Sequence, residues 1–256
     1  MSENFDYLLK IIVVGDGGVG KTAIAVRFAE GVFREDYKMT IGVDFSIRLI
    51  DIPINDEVRK VKWQIWDLGG QERFSYTRPL YYKGAVGGLL VFDLTDRISF
   101  DHLDRWFAEV EKSCVSIPLL LIGNKADLPG RQVDREEGEA LARSRNSIYY
   151  ESSAKSGQSI NAIFEKLGKI IIMKQEGLIE QEEVSEEQQK HKENIDQYMT
   201  LALQANNAIT EGKFQDALKL LKEAYKYASK IEYDDGKKWI EEQTQHILQV
   251  LKRQKS

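Results

Sequence analysis

One cysteine, Cys114, stands in 256 residues, so the chain has no internal disulfide and suits a reducing compartment. Cys114 follows a helical pattern and reads as a small buried apolar residue. Histidine is scarce as well: His102, His191 and His246 lie without ligand spacing, which argues against a zinc centre. No Lys/Arg-rich run interrupts a balance of 36 basic to 41 acidic residues, net −5, and nothing favours nucleic acid or an anionic membrane surface. The longest apolar runs, around Gly87–Phe92 and Ile117–Ile122, are too short to span a bilayer and read as buried strands. Acidic residues precede the first apolar run, against a signal peptide, and the last residues hold no cysteine, against prenylation of this stretch. A cytoplasmic protein without a lipid anchor of its own is expected, reaching membranes peripherally through partners.

What is present is a dense phosphate-binding signature. Gly15-Asp16-Gly17-Gly18-Val19-Gly20-Lys21-Thr22 reads GxxxxGK[ST], between a β-branched run (Leu8 to Val14) and a stretch without Gly or Pro (Ala23 to Ala29). Strand, glycine loop and helix make a cradle in which Gly15, Gly17, Gly18, Val19 and Gly20 let the backbone wrap phosphates with its N–H groups inward, while the helix N-terminus adds positive potential. Lys21 is then placed to reach the β/γ-phosphates and Thr22 to give a hydroxyl to Mg²⁺.

Residues 41–49 and 58–67 alternate at period two and predict a hairpin whose turn is Ile52 to Asp56; Trp66 falls oddly on its polar face. Short strands follow at 88–93, 119–123 and 148–151, each beside a helical pattern. Phe100, Leu103, Phe107 and Val110 form one stripe, Ile160, Ile163, Phe164, Leu167, Ile170 and Ile171 another, and Asp134 with Glu137 a capping box. The alternation predicts an α/β fold over 1–175: a three-layer domain on a six-stranded, mostly parallel sheet with an antiparallel edge, its ligands outside the strands' C-terminal ends. Residues 176–193 carry seven Glu and two Lys and read as an acidic connector or exposed helix. Ser185 with Gln188 offers a helix start, and 194–256 predict a small all-α three-helix module, punctuated at Gly212 and at Asp234-Asp235-Gly236.

Four further stretches stand in order, each suited to nucleotide chemistry. Thr40 offers a second hydroxyl to Mg²⁺ and an N–H to the γ-phosphate. Asp67 holds the ion through water, the Gly70 N–H contacts the γ-phosphate, and Gln71 orients the attacking water. In Asn124-Lys125-Ala126-Asp127, the Asp127 carboxylate accepts two hydrogen bonds from guanine, whose edge has a donor pair that adenine lacks. In Ser153-Ala154-Lys155 the Ala154 N–H meets the guanine carbonyl. Singly these patterns are weak; together and in order they predict a GTP site with Lys21, Thr40 and Gln71 as its catalytic groups.

Residues 5–175 resemble a Ras-superfamily small GTPase, nearest the Rab family, on Thr40-Ile41-Gly42-Val43-Asp44-Phe45, Trp66 through Phe74, Tyr81-Tyr82-Lys83-Gly84-Ala85 and Glu151 through Lys155. The resemblance implies GTP binding with slow hydrolysis, switch segments at about 34–46 and 68–82, and effector, exchange-factor and activating-protein partners in trafficking-type regulation. It places Phe33 over the guanine, and Ile41, Phe45, Trp66 and Tyr81 on an effector surface. Leu68-Gly69 departs from the Rab pattern, as does the helical module, which resembles a tetratricopeptide repeat around Gly212–Leu218 and also a microtubule-interacting-and-trafficking domain. The alternative is a pseudo-GTPase that holds nucleotide structurally. Ile195, Met199 and Leu203 make a second apolar stripe on the module's first helix, so the module is expected to dock on its own GTPase domain or on a partner.

Overall fold

Strands covered on both faces have no polar side to show, and the sheet's centre is built from such runs: all of Gly87–Asp93 is buried, as are the last four residues of Tyr7–Val14. The computed structural model describes residues 4–36, 39–71, 78–114, 116–179 and 186–253. In chain order these form β1 (Tyr7–Val14), α1 (Lys21–Glu30), β2 (Val43–Ile54), β3 (Glu57–Leu68), α2 (Arg78–Tyr82), β4 (Gly87–Asp93), α3 (Arg97–Asp101), α4 (Leu103–Ser113), β5 (Leu119–Asn124), α5 (Arg135–Ser144), β6 (Ile148–Glu151), α6 (Ile160–Gln175), α7 (Glu186–Thr210), α8 (Phe214–Lys230) and α9 (Asp234–Arg253). The six-stranded sheet runs β2-β3-β1-β4-β5-β6, parallel except for the β2–β3 hairpin at one edge. That is the α/β architecture the alternation predicts.

Two local expectations for residues 1–175 are corrected. The hairpin turn is Asn55-Asp56 rather than Ile52 to Asp56, because Ile52 and Ile54 are buried and belong to β2. Asn55 takes the positive φ (52°) that a tight hairpin demands, and Pro53 is tolerated on an edge strand. The stripe from Phe100 to Val110 is divided between α3 and α4, with His102 in the break.

Under β1–β3, Phe28 stacks on Phe164 with ring centroids 3.7 Å apart, and Trp63 meets both edge-on. A glycine lets α6 come this close: a Cβ on Gly168 would lie 2.9 Å from Cζ2 of the fully buried Trp63 and against Ile52. Gly168→Ala should therefore destabilise by about 1–3 kcal/mol, although alanine favours a helix by up to about 1 kcal/mol. A thermal melt checks it, with a fall of roughly 2–4 °C per kcal/mol expected.

The chain divides into two compact units, one holding the sheet with its helices, the other holding α2, the end of α4 from Glu109, and α7–α9. In the second, α7 packs on α8 and α8 on α9. Its alanines Ala202, Ala205, Ala217, Ala224 and Ala228 are fully buried, which lets the helices approach closely. α7 starts inside the acidic stretch, so 186–193 are helical; Ser185 lies outside the described residues. Asp234-Asp235-Gly236 is the first turn of α9 rather than a break: two carboxylates complement the helix N-terminus, and a Cβ on Gly236 would strike the Tyr233 ring and the Tyr198 hydroxyl. Buried Arg78 is held by Glu109 through Nε (2.8 Å) and Nη2 (2.6 Å), with the Tyr82 hydroxyl donating to the same carboxylate (2.6 Å).

Candidate functional site

The loop after β1 is shaped by glycine. Gly15, Gly18 and Gly20 have φ of 139°, 83° and 98°, and a Cβ on Gly15 would run into the Val91 carbonyl. The loop opens on a cavity of about 720 Å³ lined by Gly17, Gly18, Gly20, Lys21, Thr22, Phe33, Thr40, Gly70, Asn124, Lys125, Asp127, Ala154 and Lys155. Thirteen residues singled out from the sequence therefore converge on one hollow at the strands' C-terminal ends.

At one end Lys21, buried, donates from Nζ to the carbonyls of Gly15 (2.8 Å) and Asp16 (2.6 Å). The Thr22 hydroxyl bonds Asp67 Oδ2, and the Thr40 hydroxyl lies 2.8 Å from Thr22 Oγ1 and 3.2 Å from the same carboxylate oxygen. Burial raises the Asp67 carboxyl above the usual carboxylate range, against the charge of Lys21 and the two hydroxyls. Its Oδ1 is buried with no hydrogen-bond partner among the described residues. Two hydroxyls and a carboxylate with an unspent oxygen fit a hard divalent ion such as Mg²⁺. Among the described residues no group of three His, Cys, Asp or Glu makes a competing metal site.

Gly70 presses its backbone on the loop, where a Cβ would lie 2.6 Å from the Gly17 nitrogen. Gln71 is half-buried beside Met39, its Nε2 on the Met39 sulfur.

At the other end Asn124, 1% exposed, ties two loops: Nδ2 donates to the Val19 carbonyl (2.9 Å), while Oδ1 accepts from Ser152 Oγ (3.1 Å) and Ala154 N (3.3 Å). Ser153 Oγ donates to Asp127 Oδ1 (2.6 Å) and so fixes that carboxylate's rotation. Asp127 is exposed, not buried as its role suggests, because it sits on the turn at the cavity's mouth. Phe33, half-buried, adds an aromatic side chain to the cavity lining.

Of the expected effector residues, Ile41 is 75% exposed and Phe45 43%. Trp66 is half-buried rather than exposed, with Phe45 edge-on at 5.2 Å and Lys10 Nζ 4.3 Å from its ring. Tyr81, on α2, belongs to the other unit.

Sequence reasoning missed Asp93, whose Oδ2 holds Lys125 Nζ at 2.7 Å, and Asp16. An acid inside an anion cradle must be turned away from the anion, and that signal was present. His102 Nδ1 (2.6 Å) and Trp106 Nε1 (2.7 Å) hold the Asp16 carboxylate, with Arg105 at 3.4 Å.

The sequence profile of the Ras family matches residues 10–173. Over 179 residues the chain is 41% identical to Ras-related protein Rab-13 of Bos taurus, covering 69% of this chain and 86% of that protein. It is 43% identical over 170 residues to Ras-related protein SEC4 of Saccharomyces cerevisiae, 66% of this chain and 77% of that one. Ras-related protein Rab-8B of Homo sapiens is 40% identical over 176 residues, 68% and 83%.

Proposed function

This chain belongs to the Ras family, and from that premise we propose that it is a GTP-binding switch that hydrolyses GTP slowly to GDP and presents nucleotide-dependent surfaces to effectors in membrane-trafficking regulation. The observation that carries the reading is the pairing of the two cavity ends: Lys21 beside the Thr22, Thr40 and Asp67 oxygens, and Asp127 held by Ser153. Phosphates and a guanine are recognised by different chemistry, and the hollow offers both.

Thr22, Thr40 and Asp67 would hold Mg²⁺, which supplies charge neutralisation on the β/γ-phosphates when bound. Lys21 and the loop amides bind the phosphates, Gln71 orients the attacking water, and Asp127 with Ala154 reads the base. An exchange factor and an activating protein would set the two directions of the cycle.

Asn124 needs no contact with nucleotide to matter. Asn124→Ala leaves buried donors and acceptors unpaired at about 1–3 kcal/mol and releases the loop, so GDP should dissociate roughly 10- to 100-fold faster. Chase of a fluorescent GDP analogue measures this.

Single-turnover hydrolysis of GTP bound to the full chain separates the switch from a nucleotide-holding pseudo-GTPase, a reading with no support from the relatives. A slow, Mg²⁺-dependent conversion to bound GDP is expected. GTP that stays intact over many hours would overturn the switch.

A further inference from the structure

α2 shares a compact unit with α7–α9 and the end of α4, and α7 lies on it. Lys83, one residue past α2, donates from Nζ to the Thr200 hydroxyl on α7, and that hydroxyl is fixed by its own bond to the Asp196 carbonyl (2.7 Å). Ile195 and Met199 are each 2% exposed. By helical rotation they fall between the stripe that faces α8 and Thr200, while Leu203, the third member of that stripe, is 44% exposed. Tyr233, at the α8–α9 turn, lies within reach of the charges of Glu109 and Arg78; burial raises its phenol above the usual range, and Glu109 adds to this. α2 is therefore held to its own unit by Glu109 through Arg78 and Tyr82, and the residue after it by Thr200.

The phosphate end has the arrangement expected with a third phosphate. Thr40 Oγ1 stands in the metal-ligating set and the Gly70 backbone abuts Gly15 to Gly17. Contacts of that kind order the two switch segments when the γ-phosphate is present and are released on its loss. Thr40 and Gly70 hold these contacts in the structure in which α2 is seated on α7.

We propose that α7 is the intramolecular partner of α2 and that this contact favours the triphosphate arrangement of the site, so that the carboxy-terminal helices and GTP bind the switch cooperatively. The proposal rests on the reading of the chain as a GTP switch. Linkage makes it reciprocal: whatever loosens α7 from α2 weakens GTP relative to GDP, and GTP tightens α7. Any protein that reads Tyr81 must then contend with α7, and the module becomes a sensor of the nucleotide.

The test uses the full chain, with Kd for GDP and for a non-hydrolysable GTP analogue. Met199→Asp and Lys83→Glu should each weaken the analogue relative to GDP, about three- to tenfold, with GDP within twofold of the parent. Leu203→Asp, at an exposed position of the same stripe, should leave the ratio unchanged. In the parent, amides of 193–210 should exchange more slowly with the analogue than with GDP. Lys83 is exposed, so its variant decides the matter should Met199→Asp unfold the helices. Tight binding with an unchanged ratio in Lys83→Glu, or equal exchange in both states, overturns the linkage alone. Failure of the parent to bind either nucleotide overturns the switch reading beneath it.

Discussion

Replacing Asp127 by alanine is expected to weaken GTP and GDP binding by roughly 3 kcal/mol, more than a hundredfold, and to leave little preference over adenine nucleotides. The carboxylate is exposed at the cavity mouth, yet it is aimed: Ser153 Oγ holds one oxygen at 2.6 Å, and Ser153 is itself fully buried. A guanine lying there covers the carboxylate and presents two N–H donors, and each bond to a charged acceptor contributes about 1.5–3 kcal/mol. Adenine offers no such pair, so an adenine nucleotide leaves the carboxylate covered and unpaired. Competition binding of GTP and ATP to the variant and the parent measures both effects. A variant that still prefers GTP a hundredfold would move recognition elsewhere.

Gln71→Leu should slow hydrolysis of bound GTP by roughly 10- to 100-fold, since in the proposed function Gln71 orients the attacking water. GTP affinity should change little, because Gln71 is not among the groups that grip phosphate or base. The parent rate should already be low. Catalysis needs positive charge on the transferring phosphate beyond Lys21 and Mg²⁺, and position 37, three residues before Thr40, is tyrosine rather than arginine. Tyr37 lies outside the described residues. Ras itself, a family member, turns over at about 3–5 × 10⁻⁴ per second unaided and about 10⁵-fold faster with an arginine supplied in trans. The same order, below about 10⁻³ per second, is expected for this chain. Quench-flow and phosphate release read both numbers, and a Gln71→Leu protein hydrolysing at the parent rate would remove Gln71 from the mechanism.

How much of this was legible in sequence follows from how local each signal is. The phosphate loop is a contiguous run whose glycines are needed for backbone angles, so Gly15 to Thr22 could be read directly, and Gly17, Gly18, Gly20, Lys21 and Thr22 line the cavity while Gly15, Asp16 and Val19 do not. Buried strands such as β4 announce themselves by having no polar side. The hairpin turn was misplaced because Pro53 and Asp56 look like turn residues, while the deciding fact, that Ile52 and Ile54 are buried beyond them, is tertiary. The partners in long-range polar pairs leave no local trace, even where one member, such as Asp16 in the anion cradle, is conspicuous. Asn124 to Val19, Asp93 to Lys125 and His102 to Asp16 join residues far apart in the chain, and each holds a group that sequence patterns could only name. The second stripe of α7 was visible as Ile195, Met199 and Leu203, but only packing shows that the first two are buried and the third is not.

The central claim is that one cavity grips phosphates at Lys21 and a guanine at Asp127. Displacement of a fluorescent GDP analogue from the full chain, in Mg²⁺, by GTP and by ATP tests it most directly. GTP should displace the probe at near-equimolar concentration, and ATP should fail at a hundredfold excess; equal displacement by the two would contradict the account.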